Sequence, residues 1–231
     1  MRIAVFASGG GTNLQALLDH FNGDVSRGAR VSLVVCDRAG AVALTRAADA
    51  GVASALIPVT GRAPGDVGRD TLQVLAEHDI SLIVLAGYLR LVPVEVIEKY
   101  RDRIVNIHPA LLPAFGGGGM YGRRVHEAVI AAGCRVSGAT VHLVDEHYDQ
   151  GRILAQWPVP VLAGDTAESL AARVLRVEHV LLPAAVEAVA AWLARGESLG
   201  AASGGGAGRG DLFFTLDAST PGDVPTEFLL Q

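Results

Sequence analysis

Residues 2–21 read RIAVFASGGGTNLQALLDHF. Residues 2–7 are an apolar run of strand length, and 13–21 carries apolar residues at helical spacing. Between them stands Ser8-Gly9-Gly10-Gly11-Thr12. A strand that turns through glycines directly into a helix opens a βαβ unit. The pattern repeats outward from this stretch. Strands are predicted at 31–36, 53–58, 81–86 and 103–107, with helices at 41–50, 66–78 and 94–100 between them. The run SLIVLA at 81–86 is apolar enough to be covered on both faces, which belongs to a parallel sheet between helix layers. Further on, 109–122 is a long loop with Pro113 and four consecutive glycines at 116–119. A loop of that length inside a compact domain is usually functional. A helix is predicted at 125–132, a hairpin-like strand pair at 137–144 and 153–161, and a long helix at 166–194. Pro183 is expected to kink or divide that helix.

Composition bounds the function. The chain has 231 residues, half of them hydrophobic and 19% charged, enough for one well-buried core and unlike a coiled coil or a disordered chain. Six of the eleven residues at 200–210 are glycine. The domain is therefore placed at 1–195, with 196–231 a Gly-rich linker and tail. No uncharged apolar run reaches about 18 residues, so no membrane span is expected, and the opening reads as a mature strand, not a signal peptide. The net charge is −5, Lys99 is the single lysine and the arginines are scattered. Nucleic acid needs a basic face, and none is legible. A small phosphate is compatible, because backbone amides at a helix start hold an anion without side-chain charge. Cys36 and Cys134 lie far apart without C-x-x-C spacing, so they build neither a disulfide framework nor a zinc site, which suits a reducing cytoplasm.

Three groups of residues carry chemistry. The Ser8–Thr12 turn allows close backbone approach and presents helix-start amides. It serves equally well as a tight strand–helix connection. A dinucleotide fingerprint fails at Leu14, where its third glycine would stand, although Asp37 does close the second strand; a single phosphate fits better than a pyrophosphate. Asn106-Ile107-His108-Pro109 ends the fifth strand, where open parallel sheets bind ligands. Asn106 and His108 are two residues apart and point to one side. Together they offer an oxyanion donor and a titratable group, or simply a polar cap for a strand. Asp145, Glu146 and Asp149 share a polar turn, and spacing does not choose among them.

Taken together, SGGGTNLQ at 8–15, LAGYLRLVP at 85–93, NIHPALLP at 106–113, SGATVHLVDEHYDQG at 137–151, VPVLAGD at 159–165 and the Glu178-His179 pair closely resemble the phosphoribosylglycinamide formyltransferases. The resemblance covers about residues 1–194. It implies an α/β fold: an open, mostly parallel, Rossmann-like sheet with helices on both faces. It implies transfer of the formyl group of 10-formyltetrahydrofolate to the amine of 5'-phosphoribosylglycinamide in purine biosynthesis, without a metal. By the same resemblance Gly11, Thr12 and Asn13 hold the substrate phosphate and Glu178 lies near its ribose. Leu89, Arg90, Leu91 and Val92 line the folate pocket through their backbone, together with Asn106. Asn106, His108 and Asp149 form the catalytic trio, acting through a tetrahedral oxyanion with His108 protonated beside Asp149; His142 is read as architectural. The chain departs from the family pattern in the loop Ala114–Gly119, where Pro-Gly is usual, and at Pro64, where the family has an arginine; Arg62 and Arg69 stand nearby. His126 reads either as the counterpart of a loop histidine or as an exposed helix residue.

The expected partners are small molecules, with no nucleic acid and no membrane, and the oligomeric state is left open between monomer and homodimer. Two rival readings remain at this point. One is another formyl-group enzyme, a formyltetrahydrofolate hydrolase or a methionyl-tRNA formyltransferase. The other is a non-catalytic nucleotide-sugar or dinucleotide-binding module. Deleting residues 200–231 is expected to leave yield and formyl transfer nearly unchanged. A tenfold loss of turnover, about 1.4 kcal/mol in barrier, would show that the tail contributes to the core or the site.

Overall fold

The computed structural model describes residues 1–196; the Gly-rich stretch and tail expected at 196–231 fall outside them, apart from Gly196. Seven strands form one sheet: β1 (Arg2–Ala7), β2 (Arg30–Cys36), β3 (Ala53–Leu56), β4 (Leu82–Leu85), β5 (Ile104–His108), β6 (Val136–Leu143) and β7 (Ile153–Pro160). Helices α1 (Thr12–Asn22), α2 (Val42–Asp49), α3 (Pro64–Glu77), α4 (Val94–Lys99), α5 (Arg123–Ala131) and α6 (Ala167–Ala194) complete the fold. The strand order is β3-β2-β1-β4-β5-β6-β7. The first five strands run parallel, and β6 and β7 are antiparallel additions. The expected open, mostly parallel α/β sheet is the one observed.

The central strands explain their own composition. Along β1, Ile3, Val5 and Ala7 enter one core and Ala4 and Phe6 the other. β4 divides the same way, Leu82 and Val84 against Ile83 and Leu85. Successive side chains point to opposite faces, so a strand covered on both sides must be apolar throughout. Leu14, Leu17 and Phe21 of α1 and Leu170, Val174 and Leu182 of α6 close the first core. Val67, Leu75, Val96 and Ile97 of α3 and α4 close the second.

Pro183 does not divide α6, which runs unbroken for 28 residues. Proline gives no N–H to the carbonyl one turn back, but Leu182, Ala185 and Val186 around it are buried. Their packing holds the helix through the missing bond. Thr166 and Ser169 cap its start reciprocally. Among the described residues α6 is the one helix long and apolar enough to cross a membrane, and more than half of that segment is buried inside the protein.

Order reverses between β1 and β4, and this switch point opens a crevice beyond the strand ends. The loops on its two sides are laced together. Ser8 N–H donates to the Gly87 carbonyl at 3.1 Å, and Leu89 N–H donates to Ser8 Oγ at 3.0 Å. On the other flank Thr140, fully buried, fixes the chain leaving β5. Its hydroxyl donates to the Ala110 carbonyl at 2.6 Å and accepts from Leu112 N–H at 3.0 Å. Thr140→Val keeps the shape and strands both backbone groups. A loss of about 2–4 kcal/mol is expected in urea unfolding, and an unchanged midpoint would show that the β5 exit is held by other contacts.

Candidate active site

The crevice is a cavity of about 490 Å³, within the range of small-molecule sites. On the α3–α4 face of the sheet it is walled by Leu85, Val92 and Val144, which pack with that core, and residues 89–91 line it as well. The other half is walled by α5 and α6, through His126, Ala171, Leu175 and Glu178, with Asn13 beside them. Asn106, His108, His142 and Asp149 also line it.

The polar centre is built by strand register. In the antiparallel pairing of β5 with β6, Asn106 faces His142 and His108 faces Thr140. His142 Nδ1 lies 2.7 Å from the Leu143 carbonyl. A carbonyl can only accept, so the proton is assigned to Nδ1, which leaves Nε2 of the neutral ring an acceptor. Asn106 Nδ2 donates to that Nε2 at 3.0 Å. The Asn106 amide is thereby oriented, with one N–H still free of His142. His142, expected to be architectural, thus touches both Asn106 and Asp149, whose Oδ1 is 3.5 Å from its Nε2. The signal was present in the sequence: Thr140 and His142 repeat on β6 the two-residue spacing of Asn106 and His108 on β5.

Asp149 stands in the turn after β6 with φ of 57°, a left-handed conformation that aspartate tolerates better than most residues. Two residues on, a Cβ on Gly151 would meet the Leu143 carbonyl oxygen at 1.8 Å, so only glycine fits. Asp149 Oδ2 accepts from Gly117 N–H at 2.9 Å and lies 3.5 Å from His108 Nδ1. The glycine loop therefore reaches both groups, since His108 Nε2 donates to the Phe115 carbonyl at 2.9 Å. Burial pushes the Asp149 carboxyl up, but the flanking His142 and His108 imidazoles and the Gly117 N–H together hold it below the usual carboxylate value.

His108 corrects an expectation. A protonated imidazole was expected, because a nearby carboxylate favours the cation. His108 is 3% exposed, and burial lowers its pKa. Asp149 and the Phe115 carbonyl both raise it, yet burial outweighs them. The resting ring is neutral near pH 7. Its proton is on Nε2, bonded to Phe115, and its open Nδ1 faces Asp149.

The remaining sequence-selected residues divide between two regions. Gly11 caps α1 at φ of 67°, and a Cβ there would meet Ala43 Cβ at 2.9 Å. It is glycine for packing against α2, and it lines neither the main cavity nor its neighbour. Thr12 opens onto the neighbouring cleft with Gln15, Arg46 and His179. Asn13 lines the main cavity and donates to Glu178 Oε2 at 2.6 Å. Burial raises the Glu178 pKa, only partly opposed by Asn13. Leu89, Arg90, Leu91 and Val92 all line the cavity, but Leu89 N–H is committed to Ser8. The Arg90 guanidinium turns away to Asp37 Oδ2 at 2.9 Å. Arg62 and Arg69 are paired with Asp70 and Asp66. His126 is a cavity residue, 4% exposed. Among the described residues no group of three or more His, Cys, Asp or Glu is arranged to hold a metal, and both cysteines are free.

A family model described as formyl transferase matches residues 1–186. The chain belongs to the formyl transferase family. It is 47% identical over 189 residues to a chloroplastic phosphoribosylglycinamide formyltransferase of Vigna unguiculata, covering 81% of this chain and 60% of that one. The corresponding Arabidopsis thaliana protein is 44% identical over 190 residues, with 81% and 65% covered. The chain thus spans less than two thirds of these plant relatives. Among solved structures, glycinamide ribonucleotide transformylase 1 of Symbiobacterium toebii superposes with a TM-score of 0.77 at 38% identity, covering 83% of this chain and 88% of that one. The Brucella melitensis phosphoribosylglycinamide formyltransferase gives 0.75 at 41%, covering 82% and 95%.

The electrostatics of this formyl transferase chain make a direct prediction. In a proton NMR titration of the free protein, the His108 imidazole is expected to titrate below the ordinary value of 6.5. Asp149→Asn removes a raising influence, so the His108 pKa falls further. A rise in the variant would mean that Asp149 does not act on His108 through its charge.

Proposed function

We propose that this chain transfers the formyl group of 10-formyltetrahydrofolate to the amine of 5'-phosphoribosylglycinamide, in a cytoplasmic-type reducing compartment. The observation that carries the reading is the convergence of Asn106, His108 and Asp149 in one crevice at the strand switch point. The names of the relatives support the choice of substrates. The donor, a second substrate, fits the half lined by Leu85, Val92 and Val144, where apolar walls receive a flat ring and the chain at 89–92 offers backbone groups. The acceptor fits the half that ends at Asn13 and Glu178, with its phosphate toward the first turn of α1. There the helix leaves amides without intrahelical partners.

The donor supplies a formyl carbon bonded to nitrogen. The acceptor's amine lone pair forms a bond to that carbon, and the carbonyl electron pair moves to oxygen. The Asn106 N–H not given to His142 donates to the resulting oxyanion. The attacking nitrogen, now cationic, gives its proton to His108 Nδ1, and Asp149 at 3.5 Å balances the new charge. Collapse re-forms the carbonyl, breaks the bond to the donor nitrogen and returns the proton to that leaving nitrogen. The formyl group moves with no net gain or loss of protons. Holding both reactants in line supplies much of the rate.

Release of tetrahydrofolate, followed with and without the acceptor, tests the reading. Turnover is expected only when 5'-phosphoribosylglycinamide is present. Formate release without an acceptor would make the chain a hydrolase, and binding without turnover would make it a non-catalytic module. His108→Ala is expected to lower kcat by about 10²–10⁴, the scale of a positioned acid–base group. A loss below threefold would remove His108 from the proton path.

A further inference from the structure

Arg46 has no part in the chemistry so far, yet it holds the turn that opens α1. From α2 its Nε donates to the Gly10 carbonyl and its Nη1 to Gln15 Oε1, each at 2.9 Å. Ala43 of the same helix donates its N–H to the Gly9 carbonyl at 3.1 Å. Two successive carbonyls of a glycine turn are thereby drawn to α2. A peptide unit is planar and trans, so its C=O and N–H point in opposite directions. The Gly10 and Gly11 N–H groups are therefore turned away from α2. That side is the side of α6. Gln15, which meets Arg46, and Asn13, which meets Glu178, are two residues apart and so about 200° apart around α1. The turn is open to a ligand, with Gly9, Gly10 and Thr12 exposed. Water would satisfy the Gly10 carbonyl in so exposed a place, so the Arg46 bond serves direction more than burial. The charges agree. A helix start is partly positive and is usually met by an acidic residue or a side-chain cap. The first turn of α1 has neither, and the Arg46 guanidinium adds to the positive end. Its field crosses the turn: burial first, and Arg46 second, lower the pKa of His179, the neighbour of Glu178 on α6.

We propose that Arg46 is the positioning residue for the acceptor's phosphate: it fixes the Gly10–Gly11 peptide with the Gly11 N–H toward that phosphate, and so sets the preference for a phosphorylated over an unphosphorylated acceptor. This rests on the formyl-transfer reading above, which brings the phosphate to the first turn of α1. The effect is confined to the acceptor. Arg46 lines the cleft beside Thr12, Gln15 and His179, whereas the donor meets Leu85, Val92 and Val144 in the main cavity. The same role accounts for Gly11. A Cβ there would meet Ala43 Cβ at 2.9 Å, so glycine lets α2 come close enough for Arg46 to reach the Gly10 carbonyl. The turn is then bare backbone, and its direction has to be imposed from α2.

The experiment uses the full chain and two acceptors, 5'-phosphoribosylglycinamide and the same molecule without its phosphate. Arg46→Met keeps an unbranched stem and removes the donors and the charge. It is expected to lower kcat/KM for the phosphorylated acceptor about tenfold to a hundredfold, the scale of a hydrogen bond to a charged group, mainly through KM. The dephosphorylated acceptor and the donor KM are expected to change less than about threefold, so that the two acceptors converge. Arg46→Lys, which keeps the charge without the fork, is expected to fall between. Equal loss for both acceptors in a folded Arg46→Met overturns the inference, because that pattern marks a residue that only supports the fold. In ¹⁵N NMR of the wild-type chain, the Gly11 amide and Arg46 Nε resonances are expected to move with the phosphorylated acceptor and not with the other. If the phosphorylated acceptor binds while either resonance stays still, the inference is overturned, even if Arg46→Met fails to fold. If the wild-type chain uses both acceptors equally, the inference fails while formyl transfer stands. If it transfers formyl to neither, it is the formyl-transfer reading that fails.

Discussion

Asp149 keeps an ionised carboxylate at one-tenth exposure, and taking such a charge out of water costs several kcal/mol unless partners surround it. Those partners come from separate parts of the chain. Gly117 N–H is brought by the long loop, His108 by the end of β5, and His142 by β6. Of the three, Gly117 N–H is the donor in the resting protein, and the two imidazoles stand 3.5 Å away, where each supports the charge once a proton sits on the facing nitrogen. The requirement reaches backward into the fold. Gly151 is the residue that lets the turn pass the Leu143 carbonyl, and that carbonyl in turn fixes the His142 tautomer. The antiparallel extension β6–β7 is therefore not decoration on a parallel sheet. It is how a sheet built for binding at its switch point acquires a buried acid.

The other side of the crevice is organised around a different charge. Asp37 closes β2 with a fully buried side chain, and it takes the Arg90 guanidinium at 2.9 Å. Arg90 also reaches Thr60 Oγ1 at 3.2 Å. With the Ser8–Leu89 hydrogen bond, these contacts tie the chain at 89–92 to the ends of β1 and β2. A backbone surface of that kind recognises a ligand well only if it is rigid, because each group it must immobilise on binding lowers affinity. The arginine serves as a brace there, and its charge is already spent on Asp37.

Much of this was legible in the sequence, and the missing parts share a physical cause. Strand–helix alternation set the parallel sheet because fully buried strands must be apolar at every position. Asn106 and His108 were legible because period two puts them on one face. Asp149 was not separable from Asp145 and Glu146 by spacing, and only the resemblance selected it. What decides among them is the left-handed turn and the glycine at 151, both products of packing against Leu143. His142 was under-read, though its register partner was visible. The direction of the His108 pKa was misjudged because the carboxylate could be read from sequence whereas the burial could not. The loop returns to the ring at Phe115, whose carbonyl takes the Nε2 proton, and no local pattern encodes that return. Likewise Pro183 was expected to kink or divide α6, and tertiary packing carries an undivided helix through it.

The neutral state of His108 changes what its neighbourhood is good for. A site that stabilised imidazolium in the resting protein would spend Asp149 on the ground state and leave little for the reaction. Here burial disfavours the cation before substrates arrive, while Asp149 remains ionised and poised beside the open Nδ1. In the proposed reaction the positive charge appears on the ring only as the amine gives up its proton. The attraction of Asp149 for that charge is then realised on the way to the transition state and not before it. Interactions that strengthen along the reaction coordinate raise kcat, and those already present at the start do not. The two opposing influences on one imidazole, burial and a carboxylate, thus act at different moments of the reaction.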